Sequence, residues 1–242
     1  MRITSHGQYL YQLTRFPRIF PVNCYLVKEQ DGLTLIDAAI PGCEKDILNA
    51  ARDLGLPITR IVQTHAHLDH IGSLDALHTL LPAAEILISA RDARFLSGDM
   101  SLDPTEPQTK LNGAYQKIAA RPTRFVANGD RVGSLQVIST PGHTPGHIAL
   151  FDTRDGSLIA GDAFQTRAGI AVSGVIRPLF PFPAMATWNR PLALGSARKL
   201  CGLNPSRLAV GHGDVLEHPI EAIETAIAVA ERTFRKEKAY GA

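Results

Sequence analysis

The stretch Thr64-His65-Ala66-His67-Leu68-Asp69-His70 places three histidines and an aspartate directly after the apolar run 59–63 (TRIVQ). Side chains two apart in an extended segment point the same way, so His65 and His67 project together, as two ligands of one cation must. Asp69 and His70 lie where the chain turns into a helical pattern beginning near Ile71. Their side chains therefore diverge from the first pair and can serve a second cation nearby. Borderline cations such as Zn²⁺ take imidazole and carboxylate ligands at about 2.0–2.2 Å, and a structural zinc site would more often use cysteine. No cysteine is near. A lone histidine is ordinarily a surface or satisfied core residue, but this cluster after an apolar strand reads as a metal-binding loop.

Working outward, residues 22–28 (VNCYLVK) and 33–37 (LTLID) flank the turn-like Gln30-Asp31-Gly32 and predict a hairpin. Residues 44–54 carry Ile47, Leu48, Ala51 and Leu54 at helical spacing, with a stop near Gly55. The run 59–63 predicts a strand. Residues 71–81 predict a helix through Ile71, Leu74, Leu77 and Leu81, ended by Pro82, and 85–88 (EILI) a buried strand. The polar stretch 97–112, with two prolines, predicts a surface loop. Strands recur at 135–139, 147–152, 157–160 and 207–210. The apolar, proline-rich 174–184 cannot be a regular helix. Helices are expected near 188–201 and over 217–236, the latter with Ile220, Ile223, Ile227, Ala230 and Phe234 on one stripe. Each half runs from strands into helices, which predicts two packed sheets with helices outside, in one domain over 1–242.

One loop cannot complete a metal site. Pro141-Gly142-His143-Thr144-Pro145-Gly146-His147 follows the strand 135–139, Gly161-Asp162 follows 157–160, and Gly211-His212-Gly213 follows 207–210. Taken singly these are weak signals, because a Gly-Asp after a strand is more often a turn. Their weight comes from occurring as an ordered set after HxHxDH.

With these motifs the chain resembles the metallo-β-lactamase fold superfamily, over nearly its whole length. The resemblance implies an α/β fold, a four-layer αββα sandwich with metals at one edge of the sheets. It implies His65, His67 and His143 as ligands of a first metal, Asp69, His70 and His212 as ligands of a second, and Asp162 as the carboxylate bridging both. His147 is similar to a family position beside the site and is read as a support for the ligands. Asp37, ending the LID strand, either orients the HxHxDH loop or is a turn aspartate. His6, His78 and His218 are read as lying outside the site, His78 within the helix 71–81 and His218 in the first turn of the last helix.

Two cations a few ångströms apart can hold a water or hydroxide and lower its pKa toward neutrality. The expectation is a binuclear metallohydrolase using that hydroxide as nucleophile, with Asp69 as the catalytic proton shuttle. Two divalent ions are expected, zinc first, with iron or manganese as alternatives. No GxSxG motif offers a serine nucleophile. The combination THAHLDH, PGHTPGH and GDAF is more similar to the glyoxalase II and lactonase-like branches than to zinc β-lactamases with a cysteine ligand, whose position Asp162 occupies. Some lactonases carry a tyrosine shortly after the bridging aspartate, where this chain reads Ala163-Phe164-Gln165. The expected substrate is a small molecule with an ester-type bond: a lactone, thioester or β-lactam-like compound. The rivals are a mononuclear iron persulfide dioxygenase, a phosphodiesterase on the same fold, and a binding protein without turnover. Retention of Asp69, His70 and His212 favours two metals.

The bulk properties set the remaining bounds. The chain is 45% hydrophobic and 20% charged, ordinary for a globular protein. A net charge of +2 argues for neither nucleic acid nor an anionic membrane as partner. Cys24, Cys43 and Cys201 suggest no disulfide framework. No run approaches the roughly 20 apolar residues that span a bilayer, and MRITSHGQYLYQL lacks a basic then apolar leader pattern. A cytoplasmic location is expected, and a homodimer is the working expectation for assembly. The stretch Ile176–Pro183 either caps a pocket for a ligand with an apolar part or packs on the sandwich. Arg167, Arg177 and Arg190 read as solvated surface groups in preference to clamps for a substrate carboxylate.

Overall fold

The hairpin read at 22–37 forms the middle of the first sheet. The computed structural model describes residues 1–239, so the last three residues of the expected 1–242 domain lie outside the described residues. The first half runs β1 (Arg2–His6), β2 (Leu10–Arg15), β3 (Val22–Glu29), β4 (Gly32–Ile36), α1 (Glu44–Asp53), β5 (Ile58–Val62), α2 (Leu68–Ile71), α3 (Leu74–Leu80), β6 (Glu85–Ser89), α4 (Ala90–Leu96) and β7 (Arg124–Val126). These seven strands pair in chain order, antiparallel from β1 to β4 and parallel from β4 to β7. Parallel neighbours need crossovers, which α1, the α2–α3 pair and α4 supply.

The second half runs β8 (Arg131–Val132), β9 (Leu135–Ser139), β10 (Ile148–Asp152), β11 (Ser157–Ile159), β12 (Phe164–Gln165), β13 (Ala171–Val172), α5 (Phe182–Met185), α6 (Arg190–Cys201), β14 (Arg207–Ala209), β15 (Leu216–Glu217) and α7 (Ile220–Ala239). Its main sheet has the order β15-β14-β11-β10-β9-β8, with β12 and β13 a separate short ribbon.

The strands read as almost unbroken apolar runs because both of their faces are buried. In β3, Cys24 and Leu26 pack toward α1 and α3, while the alternate residues Tyr25 and Val27 face the other sheet. Strand β6 repeats this, with Ile86 and Ile88 outward and Leu87 inward. In the second sheet, Leu135, Val137, Ile148 and Leu150 meet the first sheet, while Ile138, Ala149, Leu158 and Leu208 lie under α6 and α7. On α7, Ile223, Ala226 and Ala230 are buried, with Ile227 and Phe234 packed beside them. Three apolar interfaces, helix on sheet, sheet on sheet and sheet on helix, make the four-layer αββα sandwich. Each aliphatic side chain fully buried there contributes about 1.5–3 kcal/mol.

Several elements depart from the sequence expectations. The helix expected over 71–81 begins at Leu68 and breaks in two, because Gly72 N–H and Ser73 N–H donate to Ala39 O and Ala38 O, at 2.8 and 3.3 Å. Asp69 and His70 therefore stand on the first turn of α2. His218 precedes α7 instead of opening it, at φ 49°, with its N–H donating to Ser206 O at 2.8 Å. The stretch 174–184 is irregular until the single turn of α5. Segment 97–112 is loop, as expected, and the irregular chain continues to β7. No helix of the described residues is long and apolar enough to cross a membrane.

Strands β4, β5, β9, β11 and β14 all end at one edge of the sandwich. Their following loops carry Asp37, residues 64–70, His143, Asp162 and His212.

Candidate metal centre

His67 caps α2 with extended backbone, φ −73° and ψ 149°. His67 is thus extended, and the turn of α2 that follows swings Asp69 and His70 away. His65, His67 and His143 form one group and Asp69, His70 and His212 a second, each with its ligand-type atoms within 4.8 Å of one another. A third group, His65, His70 and Asp162, overlaps both. Asp162 sits on a single 3-10 turn, Gly161–Ala163, after β11. Its Oδ2 lies 3.3 Å from both His143 Nε2 and His212 Nε2, and its Oδ1 3.5 Å from His70 Nε2. Asp69 Oδ2 lies 3.3 Å from His212 Nε2. The structure thus brings together all seven residues singled out in the sequence, with Asp162 between the two groups.

Each histidine is gripped through its far nitrogen, which leaves the other aimed into the site. His70 Nδ1 and Thr64 Oγ1 both donate to Asp37 Oδ2 at 2.8 Å, and Thr64 N–H donates to Asp37 Oδ1 at 2.7 Å. With its proton committed to Asp37, Thr64 Oγ1 accepts from His65 Nδ1 at 3.0 Å. His67 Nε2 donates to Asn112 O at 3.0 Å, and His212 Nδ1 donates to Pro21 O at 2.7 Å. His143 Nδ1 meets Ser173 Oγ at 2.9 Å. Such partners fix tautomer and ring direction in metal sites. Of the two readings of Asp37, orientation of the loop is the one this geometry supports. His147 also acts through a neighbour, since its Nε2 accepts from Asp162 N–H at 3.1 Å and its Nδ1 meets Thr140 Oγ1 at 2.8 Å. Burial lowers the His147 pKa to about 3, so the ring is neutral and free to accept.

His65 Nε2, His70 Nε2 and Asp162 Oδ1 are buried and make no hydrogen bond. Orphaned buried polar atoms are costly, about 1–3 kcal/mol each, and divalent cations would satisfy these three. The donor set, imidazoles and carboxylates without thiolate, fits zinc, iron or manganese.

The two groups differ electrostatically. Burial and the neighbouring rings hold His65 and His143 well below the usual histidine range, and burial lowers His67 to about 4. Burial also works against protonation of His70, but Asp162, Asp37 and Asp69 outweigh it and raise its pKa to about 9. His212 is likewise carried well above its ordinary value by Asp162 and Asp69 against burial. Burial would raise Asp69 and Asp162, yet their histidine neighbours keep both carboxylates below the usual range.

Several supports were not anticipated from the sequence. Asp92, on α4, accepts from Thr144 Oγ1 and Gly146 N–H at 2.7 Å and from Ala66 N–H at 3.1 Å, which clamps the 140–147 loop to the 64–70 loop. Burial raises its pKa to about 6. Asn23 Nδ2 donates to Val210 O and Gly213 O at 2.8 and 2.7 Å, and Tyr25 OH donates to Val210 O at 2.7 Å, which straps the His212 loop to β3. Asn23 and Tyr25, two apart on β3, share the face toward the second sheet, but β3 is buried on both faces, so no polar alternation singles them out, and no spacing signal marks Asp92.

Two glycines permit the close packing. A Cβ on Gly211 would lie 2.0 Å from Asp162 Oδ1 and 2.7 Å from His70 Cε1. One on Gly113, at φ 93°, would lie 2.3 Å from His67 Nε2.

A cavity of about 370 Å³ opens on the site. His67, Asp69, Asp162 and His212 lie at its polar end, and Phe20, Ile40, Pro41, Leu68, Ala114, Phe182, Pro183 and Ala186 form its apolar wall. The stretch 176–183 thus contributes to the wall, while Phe180 is buried against Phe20 and His212. None of the lining residues is Lys or Arg. Arg167 donates to Arg18 O at 2.5 Å, Arg177 to Ile170 O, and Arg190 lies in a separate depression beside Trp188 and Phe234. His6 pairs with Gln12 at 3.2 Å, and neither His6, His78 nor His218 lines the cavity.

The model of the metallo-beta-lactamase superfamily matches residues 17–212. The chain is 53% identical over 233 residues to YobT, an uncharacterized protein of Bacillus subtilis, covering 96% of this chain and 100% of the relative. It is 31% identical to the probable metallo-hydrolase YflN of the same organism, covering 79% and 80% of the two chains. The crystal structure of TTHA1623 in a di-iron-bound form superposes with a TM-score of 0.64 at 25% identity, over 87% of this chain and 96% of that one.

Proposed function

The chain belongs to the metallo-beta-lactamase superfamily as a metallo-hydrolase, and from that premise we propose a binuclear enzyme that cleaves an ester-type bond in a small molecule. The observation that carries this reading is the joined pair of ligand groups, bridged by Asp162, with site-facing atoms that have no protein partner. Two divalent cations there would supply Lewis acidity and a water ionised near neutral pH.

The chain's own residues do the rest. His65, His67 and His143 would hold one ion, Asp69, His70 and His212 the other, and Asp162 both. Asp69 is the catalytic residue in this reading: its side chain is 29% exposed, lines the cavity, and stays ionised beside His70 and His212. It can therefore accept the proton released on attack and return it to the leaving group. The apolar wall suits a substrate with an apolar acyl part, a lactone or thioester before an anionic compound, because no Lys or Arg lines the cavity to pair with a second carboxylate. Zinc is the favoured ion, and the di-iron state of TTHA1623 keeps iron as the first alternative. Cys24, Cys43 and Cys201 are free thiols, which supports a cytoplasmic, reducing location. A homodimer is proposed, to be checked by light scattering.

The test is metal analysis followed by a hydrolysis panel of esters, lactones, thioesters, β-lactams and phosphodiesters, comparing wild type with Asp69→Ala and His67→Ala. About two equivalents of metal per chain and turnover lost in both variants are expected. One iron per chain with oxygen uptake on a persulfide, or a metal-loaded wild type no better than the variants, would sink the proposal.

A further inference from the structure

We propose that the mouth of the cavity is a docking surface for an anionic lipid bilayer, formed by the β2–β3 loop and the segment 163–190. The large apolar side chains left in solvent gather there: Phe16, Ile19, Ile176, Leu179, Phe182 and Met185 are six of the ten such residues among the described ones. Ile19 and Leu179 are the extremes, 83% and 88% exposed. The two segments form one surface. Phe20 packs its ring on Phe180 and Phe182, each at 5.1 Å between centroids, and Arg167 donates to Arg18 O at 2.5 Å. Phe20 and Phe182 also line the cavity, so the exposed rim is continuous with the apolar wall. Phe16 keeps a left-handed backbone, φ 50°, which is costly for a bulky residue. The turn it makes is closed by Ile19 N–H and Phe20 N–H on Phe16 O at 3.2 Å, and it leaves both Phe16 and Ile19 exposed.

Charge selects the occupant of this face. The chain carries no Asp or Glu from 163 to 213, and none within 15–21. Arg167 and Arg177 donate to the carbonyls of Arg18 and Ile170, and neither they nor the exposed Arg18 form an ion pair among the described residues. Arg15 lies over the Phe16 ring at 4.7 Å and reaches Asp46 at 3.7 Å. The net charge of +2 conceals this segregation, because the carboxylates that offset the arginines sit on other elements. An apolar patch flanked by arginines suits a lipid interface, where apolar groups enter the headgroup boundary and cations meet anionic headgroups. A second copy of the chain complements it poorly. In a two-fold dimer the patch would meet itself, setting guanidinium groups against one another with no carboxylate in either segment to separate them.

Docked in this pose, the cavity opens toward the acyl chains of the bilayer. The apolar part of a lipid-dissolved ester would then reach the metal centre without crossing water. That consequence rests on the hydrolase reading, whereas the docking itself does not.

The test is co-sedimentation of the full chain with vesicles of phosphatidylcholine alone and of phosphatidylcholine mixed with phosphatidylglycerol. Wild type is expected to partition onto the mixed vesicles, more weakly onto the neutral ones, and less onto the mixed ones as salt rises. Ile19→Ser and Leu179→Ser are each expected to weaken partitioning about tenfold, by withdrawing an aliphatic side chain from the interface. Arg18→Gln is expected to weaken it about fivefold, on the mixed vesicles only. Leu80→Ser, at an exposed apolar position on α3, is the control and should bind as wild type does. None of these side chains lines the cavity and all are exposed, so the fold and the site are left intact, which circular dichroism and metal content check. A wild type that binds neither vesicle or both equally, or rim variants that bind as well as wild type, overturns the proposal. So does a wild-type dimer that Ile19→Ser or Leu179→Ser turns into a monomer in light scattering, which assigns the face to a second copy. A wild type that partitions as expected but turns over no panel substrate sinks the hydrolase reading and leaves the docking surface in place.

Discussion

Replacing Gly211 by alanine perturbs the centre without substituting any proposed ligand. The added Cβ would sit 2.0 Å from Asp162 Oδ1, where real Cβ contacts essentially never fall under 3.0 Å. Either Asp162 or the 210–213 loop must yield by about 1 Å. The loop is poorly placed to move, because Asn23 and Tyr25 hold Val210 and Gly213 from β3 and Gly211 N–H donates to Gly161 O at 2.9 Å. The strain therefore falls on the carboxylate between the two groups. A misplacement of ~1 Å in a catalytic constellation costs about 100-fold in rate, or roughly 2.7 kcal/mol of barrier. Gly211→Ala is expected to bind fewer than two equivalents of metal and to lose about 100-fold in kcat/KM on whichever panel substrate the wild type turns over. Gly195→Ala is the control: on an exposed turn of α6 its Cβ meets nothing within 4 Å, and it should stabilise by about 0.5–1 kcal/mol with unchanged metal content. If Gly211→Ala keeps full metal occupancy and rate, Asp162 is not held between the groups as described.

Three further outcomes are expected. Asp37→Ala releases both Thr64 and His70 and should weaken metal binding about 10–100-fold, read by chelator competition; equal affinity would return Asp37 to the role of a turn residue. In the metal-free chain at pH 7, His70 and His212 are cationic while His65, His67 and His143 are neutral. Filling the second group must then expel protons and its affinity should rise with pH toward about 9, whereas filling the first should expel none. Calorimetry in two buffers of different ionisation enthalpy measures this, and equal release by both equivalents contradicts it. Leu35→Ala, wholly buried between β4 and the outer helices, should cost about 2–5 kcal/mol in urea unfolding while leaving metal stoichiometry at the wild-type value.

The ligand-bearing loops were legible because each follows a buried strand and carries a residue type that needs a reason to be there. The strands themselves were legible where both faces are apolar, as in β3, β6 and β10. The β1–β2 hairpin escaped because β1 is an edge strand with three of its five residues exposed, so no apolar alternation marks it. The two-residue strands β8, β12, β13 and β15 are too short to carry a period. Helix α4 hides behind β6 with only seven residues. Asp92, Ser173 and Asn112 are ordinary polar residues in local sequence. Asp92 meets Thr144 and Gly146 from 52 and 54 positions away, a proximity that only the closed sandwich creates.

The edge on which these loops converge is also a seam. His65, His67, Asp69 and His70 come from the first sheet, and His143, Asp162 and His212 from the second. Neither half of the chain owns a complete set for either ion, so a cation bound at full coordination is bound only by the joined halves. Ligation then acts as a clasp, and its free energy is added to the docking of one sheet on the other. At a thousandfold excess over the dissociation constant that addition is about 4 kcal/mol. A chain cut between β7 and β8, where the first sheet ends and the second begins, is accordingly expected to be reassembled by metal and released by a chelator.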